Sequence, residues 1–210
     1  MEVELIAITQ YLAGRGGTEE LIERAGRVCY RSESRGNPAA FLRARLREGH
    51  ESIIEHASAT FEISGISRAC SHQLVRHRLA SFSQESQRYV TMSDPDMVIP
   101  NAIQDNAEAQ AIWDEFVEEV KTVYAELRAR GIRKEDARFV LPNAAATRLV
   151  LTMNFRELRH FFRVRIAPEA QWEIRSMAVA MLIELVPHAP TVFGDLLAEM
   201  STAHPDFFEA

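Results

Sequence analysis

Hydrophobic positions along this chain follow two periods, and the switches between them mark its elements. The opening VELIAIT is a short apolar run that reads as a strand. After the loop GRGG at residues 14–17, TEELIERAGRVCY has helical spacing, with Thr18 placed as its cap. Glu19 stands where the third glycine of a dinucleotide fingerprint would fall, so these glycines read as a loop. NPAAFLRARLREG is a second helix, with Pro38 near its start and Gly49 just past its end. HASATFEISG then alternates: Ala57, Ala59, Phe61 and Ile63 on one side, Ser58, Thr60, Glu62 and Ser64 on the other, a half-buried strand. ISRACSHQLVRHR returns to helical spacing, with Ile66, Cys70, Leu74 and His77 along one stripe. The serine-rich residues 80–86 lack periodicity and read as a loop, followed by QRYVTM as a short strand.

The second half is mostly helix. A long helix is expected over about residues 104–130, with Ile112, Phe116, Val120, Val123 and Leu127 on one face and Gly131 as its stop. KEDARFVLP forms a short helix ended by Pro142, and ATRLVLTMN a strand. FRELRHFFRVR is helical, and after Pro168 EAQWEIRSMAVAMLIELV is a strongly apolar helix, with a last helix around residues 192–200. The sum is an α/β (α+β) protein, a mixed sheet with several helices, and residues 1–210 fit one domain, or one domain with a small annex.

Composition narrows the function. The chain carries 24 Lys and Arg against 30 Asp and Glu, a net charge of −6, which argues against general nucleic-acid binding. No apolar run reaches the roughly 18 residues of a membrane span, and the start is too acidic for a signal peptide. Cys29 and Cys70 have no CxxC partner; both fall in apolar helical patterns that suggest burial, and a reducing cytoplasm is expected. Yet between Ile63 and Met92 the only acidic residue is Glu85, beside Arg68, Arg76, Arg78, Arg88, His72 and His77. A local basic cluster in an acidic protein suits a small anionic ligand in a pocket.

Three segments carry candidate chemistry. GHESIIEH brings His50, Ser52, Glu55 and His56 together between a helix stop and a strand, where a solvated loop is the plainer alternative. In the helix ending HQLVRHR, Gln73, Arg76 and His77 share a face, and Arg76 and Arg78 point to different sides. The following Ser81, Ser83, Gln84, Ser86 and Arg88 offer hydroxyls, an amide and a guanidinium fork suited to a phosphate and the polar edge of a base. Carboxylates elsewhere in the fold are the competing partners for these arginines. In NFRELRHFFRVR, Arg156, His160 and Arg163 share one face, while Arg165 lies nine positions after Arg156, on the opposite side. Phenylalanines interleave these arginines, so some charges must lie against buried surface and need partners. Arg138 and Arg148 are further candidates. No metal site is expected: His50 and His56 are six apart with Glu55 between, matching no common zinc spacing. Ser86 lacks the setting of a triad nucleophile.

The run RHRLASFSQES, of the form Arg-His-Arg, seven residues, then Ser, resembles the signature of the flavin-dependent thymidylate synthases. GHESIIEH before it and VLPNAAATR, NFRELRHF and AQWEI after it resemble the family's other blocks in the same order, over about residues 27–186. The resemblance implies an enzyme that methylates dUMP to dTMP with methylenetetrahydrofolate as carbon donor and NADPH-reduced FAD as hydride donor. It implies a homotetramer whose flavin sites are shared between subunits. By position, His50, Ser52 and Glu55 would line the flavin site; Arg76, His77 and Arg78 would contact FAD, as would Asn154, Arg156 and His160. Gln73 and Arg76 would reach dUMP, with Gln84, Glu85, Ser86, Gln87 and Arg88 holding it and Arg138 adding a contact. Arg165 would lie beside the uracil ring as the charge-stabilising residue, and Ser86 would position the substrate. Gln84 departs from a Glu in other members and His160 from an Asn. Glu169 stands where a flavin-contacting His is often found, and is left out of the site. Another flavin enzyme acting on nucleotides, or a non-catalytic nucleotide-binding module, are the alternatives.

Overall fold

The computed structural model describes residues 1–13, 16–34 and 36–208. Gly14 and Arg15 of the GRGG loop, with Arg35, Glu209 and Ala210, lie outside the described residues. In chain order the elements are β1 (Glu2–Ile8), α1 (Thr18–Cys29), α2 (Pro38–Arg47), a 3-10 turn (Glu51–His56), β2 (Ser58–Ser67), α3 (Arg68–Leu74), β3 (Ala80–Gln84), α4 (Asn101–Gln104), α5 (Ala107–Ala129), α6 (Lys134–Ala137), β4 (Ala146–Asn154), α7 (Phe155–Arg165), α8 (Trp172–Leu185) and α9 (Pro190–Ala203). The strands form one sheet of order β1-β2-β4-β3, so the expected mixture of a sheet and several helices is what the chain adopts.

Packing divides the chain into two compact units: Met1–Glu2, Ser64–Gln73 and Ser83–Leu149 in the first, and Val3–Ile63, Leu74–Phe82 and everything from Val150 onward in the second. In the first, Met92, Tyr124 and Ala137 form a core that Leu127, Val140 and Leu141 pack against, tying α5 to α6 and to the turn after it. In the second, α7 packs on α8, α9 and the 3-10 turn, and Phe155, Phe161, Phe162 and Phe193 meet edge-to-face with centroids 4.9–5.9 Å apart.

The alternation of β2 holds: Ala57, Ala59, Phe61 and Ile63 are buried, and Ser58, Thr60, Glu62 and Ser64 are partly exposed. Gly49 and Gly131 follow α2 and α5 at φ +79° and +84°, the left-handed conformation in which glycine ends a helix without a Cβ clash.

Several expectations are corrected. Residues 80–86 are not a loop: β3 runs through Ala80–Gln84, and Glu85 N donates to Arg148 O at 2.8 Å. Its alternation was hidden because Phe82 is its only large apolar residue. Residues 87–92 form no strand; Tyr89 N and Val90 N both donate to Ser86 O, closing a turn. Helix α3 stops at Leu74, and Arg76 to Arg78 lie beyond it, although the stripe Ile66, Cys70, Leu74 and His77 is buried as expected. Thr18 does not cap α1; Gly17 holds that position, and Thr18 Oγ1 donates to Thr9 O at 2.6 Å. The long helix starts only at Ala107, where the Asn106 side chain accepts from Glu108 N and Ala109 N. Cys70 is buried, but Cys29, the last residue of α1, is exposed.

Candidate functional site

The flavin candidates fall in the second unit. The 3-10 turn Glu51–His56 is more than a solvated loop: Ile53 and Ile54 are buried and anchor it, leaving Ser52, Glu55 and His56 exposed. His50 precedes it, its Nδ1 2.7 Å from the Tyr30 hydroxyl and its ring stacked on Tyr30. Asn154 caps α7, its Oδ1 accepting from Glu157 N at 2.9 Å. Glu157 in the first turn and Arg163 and Arg165 in the last suit the helix dipole.

Along α7 the charges sort by face. Arg156 and Arg163 are exposed and reach back to the 3-10 turn, Arg156 to Glu55 and Arg163 to Glu51 at 3.5 Å. The hydrogen bond and charge of Glu55 raise the pKa of Arg156 further. Two of the flavin candidates, Glu55 and Arg156, are therefore bonded to each other. The buried charge that the interleaved phenylalanines demand is Arg159, 3% exposed. It donates two bonds of 2.7 Å to Asp195 and a third to Val192 O. Burial works against the Asp195 carboxylate, but the hydrogen bonds and charge of Arg159 prevail and lower its pKa.

Arg76 and Arg78 are exposed, and among the described residues neither has an ion-pair partner. His77 between them turns inward and is 6% exposed. Its Nδ1 is 3.1 Å from Glu157 Oε1, and its Nε2 accepts from Arg165 Nε at 3.0 Å. Phe161 meets its ring edge-on, and the His160 ring lies 5.9 Å away. Desolvation lowers the His77 pKa, Glu157 opposing, with Arg165 and His160 adding to the lowering.

The pyrimidine-nucleotide candidates other than Arg76 and Arg165 fall in the first unit. Gln84 Nε2 donates to Thr147 Oγ1 at 3.2 Å, and the Glu85 carbonyl accepts from Arg68 Nη2 at 2.7 Å. Ser86 Oγ accepts from Arg88 N at 3.3 Å, beside Gln87 in the same turn. Arg88 reaches Glu135 at 3.4 Å, and Arg138 Nε donates to Glu135 O at 3.2 Å. Gln73, on α3, is partly exposed.

Two residues that matter here were not assigned from the sequence. Arg68 holds the turn after β3 through the Glu85 carbonyl, and among the described residues its buried Nε has no hydrogen-bond partner. Burial lowers its pKa, Glu85 opposing and Arg138 adding to the lowering, so two guanidiniums share this neighbourhood. An unpaired buried N–H beside a second cation suits an anionic acceptor. Glu157 is the other; its signal was a carboxylate amid a basic, aromatic helix. Among the described residues, no group of three or more His, Cys, Asp or Glu side chains is arranged to hold a metal ion, and no helix is long and apolar enough to cross a membrane.

The family model described as thymidylate synthase complementing protein matches residues 8–191. A flavin-dependent thymidylate synthase of Geobacter sulfurreducens is 45% identical over 188 residues, covering 84% of this chain and 81% of that protein. Proteins of the same name from Mycobacteroides abscessus and Mycobacterium tuberculosis are each 40% identical over 223 residues, covering 93% of this chain and 89% of theirs.

Proposed function

The chain belongs to the flavin-dependent thymidylate synthase family, and from that premise we propose that it methylates dUMP to dTMP with FAD as its flavin. Methylenetetrahydrofolate is the carbon donor and NADPH the reductant. One observation carries the reading: Arg76 and Arg78 stand exposed without carboxylate partners among the described residues, on either side of a His77 that is locked inward against α7. Two guanidiniums left unneutralised in an acidic protein fit a pyrophosphate. The unpaired Arg68 Nε beside Arg138 gives the same argument for the phosphate of dUMP.

When bound, the flavin supplies the hydride. The chain's own residues bind, orient and stabilise charge. Arg76, His77, Arg78, Asn154, Arg156 and His160, with His50, Ser52 and Glu55, are the flavin set. Gln73, Arg76, Gln84, Glu85, Ser86, Gln87, Arg88 and Arg138 hold dUMP. Binding the substrate tightly and uniformly does not raise turnover, so rate must come from orientation and from charge stabilised as it develops. Arg165 serves the latter, favouring negative charge near N3 of the uracil; a guanidinium stays protonated while it does so. Ser86 positions dUMP by hydrogen bond, since an unassisted serine is a weak nucleophile.

Residues 1–210 act as one catalytic domain. The enzyme works in the cytoplasm, which suits two free cysteines, and as a homotetramer with shared sites. The oligomer is supported by an uncovered apolar stripe on α5, with Ile112 70% and Phe116 43% exposed.

Purified protein is expected to be yellow and to release FAD on denaturation. It is expected to release tritium from C5-labelled dUMP only with methylenetetrahydrofolate present. Arg165→Lys is expected to lower turnover at least tenfold, about 1.4 kcal/mol of transition-state stabilisation, while FAD content stays at the wild-type level. Colourless protein, or tritium release independent of the folate, overturns the assignment.

A further inference from the structure

Glu157, His77 and Arg165 form a row whose first two members are buried and whose third is half-buried. A carboxylate oxygen at 3.1 Å can only accept from His77 Nδ1, and Arg165 Nε–H at 3.0 Å can only donate to His77 Nε2. Both contacts are satisfied together by a single ring state, the neutral imidazole with its proton on Nδ1. A ring with the proton on Nε2 would face Arg165 with two N–H groups and no acceptor. A doubly protonated ring would do the same and add a second positive charge beside the guanidinium.

We propose that Glu157 is a positioning residue: by accepting from His77 Nδ1 it holds Nε2 as the acceptor that orients the Arg165 guanidinium. The chain of three spans two segments of one compact unit, with His77 pinned between α7 side chains and packed edge-on against Phe161. Burial of the ring favours its neutral form, which works in the same direction. The other charged or titratable groups facing the ring among the described residues are Arg165, a cation, and His160, whose ring lies 5.9 Å away; Glu157 is the carboxylate among them and the partner of Nδ1. Its consequence for turnover rests on the reading that Arg165 stabilises charge on the pyrimidine.

The test uses full-length protein and two substitutions, Glu157→Gln and Glu157→Leu. An amide keeps an oxygen acceptor of the same shape, whereas leucine removes it. In 15N-histidine-labelled protein at neutral pH, with His77→Asn used to assign the signal, wild type and Glu157→Gln are expected to show His77 protonated on Nδ1 alone. Glu157→Leu is expected to show a mixture of tautomers or the Nε2–H form. In turnover, Glu157→Leu is expected to lose about ten- to a hundredfold in kcat, the worth of one hydrogen bond to a charged group, with KM for dUMP and FAD content within about twofold. Glu157→Gln is expected to recover most of that loss. Thermal melts of both variants establish that they fold.

Nδ1 protonation that persists in Glu157→Leu overturns the proposal, as does wild-type His77 protonated on Nε2. So does a Glu157→Leu enzyme with altered tautomer and unchanged kcat. The spectra need neither substrate nor turnover. An inactive wild type would therefore fail the functional reading, while the spectra still decide the hydrogen-bond chain.

Discussion

Arg159 and Arg156 sit three positions apart on α7 and do opposite work. Arg156 is exposed, and its ion pair with Glu55 lies in water, where solvent screens such pairs and they contribute little. A ligand phosphate can therefore compete for it at little cost. Arg159 is buried beneath the helix and committed to Asp195, Val192 O and, at 3.7 Å, Glu51. Its charge is structural, and it would be misread as a binding residue from sequence spacing alone. Asp195→Ala should strand that guanidinium with its carbonyl contact and the more distant Glu51. The expected loss is about 2 kcal/mol, below the roughly 3–5 of a fully buried pair because the Asp195 side chain is 54% exposed. The urea midpoint reads it, and FAD content should not change.

Helix α7 is positioned by its first residue boundary as much as by its apolar face. Asn154 ends β4 and caps α7 with Oδ1, leaving its amide N–H2 to reach a ligand. The two roles separate by substitution. Asn154→Asp keeps an acceptor for Glu157 N but loses the donor, so the melting temperature should hold while flavin retention falls. Asn154→Ala removes both and should cost about 1 kcal/mol of stability as well. Equal flavin retention in Asn154→Asp and wild type would remove Asn154 from the cofactor set. Helix α5 is the contrary case: its apolar stripe was legible, but only part of it is spent on the core. Val120 and Tyr124 are buried, while Ile112, Phe116 and Val123 stay at least 37% exposed. Periodicity reports that a face is apolar, not what covers it.

For the molecule as a whole, that uncovered stripe bears on assembly. Phe116→Glu places a charge on it and should shift the species seen by light scattering from the proposed tetramer toward smaller forms, with activity falling in step if sites are shared. An unchanged mass would detach α5 from the interface. The division of the chain into two units also sorts the expected site residues: the flavin set falls in the second, and the dUMP contacts other than Arg76 and Arg165 fall in the first. Neither set is contiguous in sequence. The dUMP contacts of the first unit draw Gln73 from α3, Gln84 from the end of β3, residues 85–88 from the turn after it and Arg138 from the turn after α6.

Sequence by itself determined the long elements and their ends, because alternation in β2, helical stripes in α7 and α8, and glycines 49 and 131 are local physical signals that need no partner. It also determined that the chain holds an unusual density of cations from Arg68 to Arg88, and, through its ordered motifs, the family. Tertiary structure decided which cations remain free for a ligand. Arg159 is committed to Asp195 and Arg156 is held only by an exposed pair with Glu55, while Arg76 and Arg78 have no such partner among the described residues. It also decided that Ala80–Gln84 is a strand, since pairing rather than pattern makes it one. And it turned His77 inward: the residues that fix its proton, Glu157 and Arg165, lie 80 and 88 positions away, and a hydrogen bond acts across 3 Å of space whatever the length of chain between its ends.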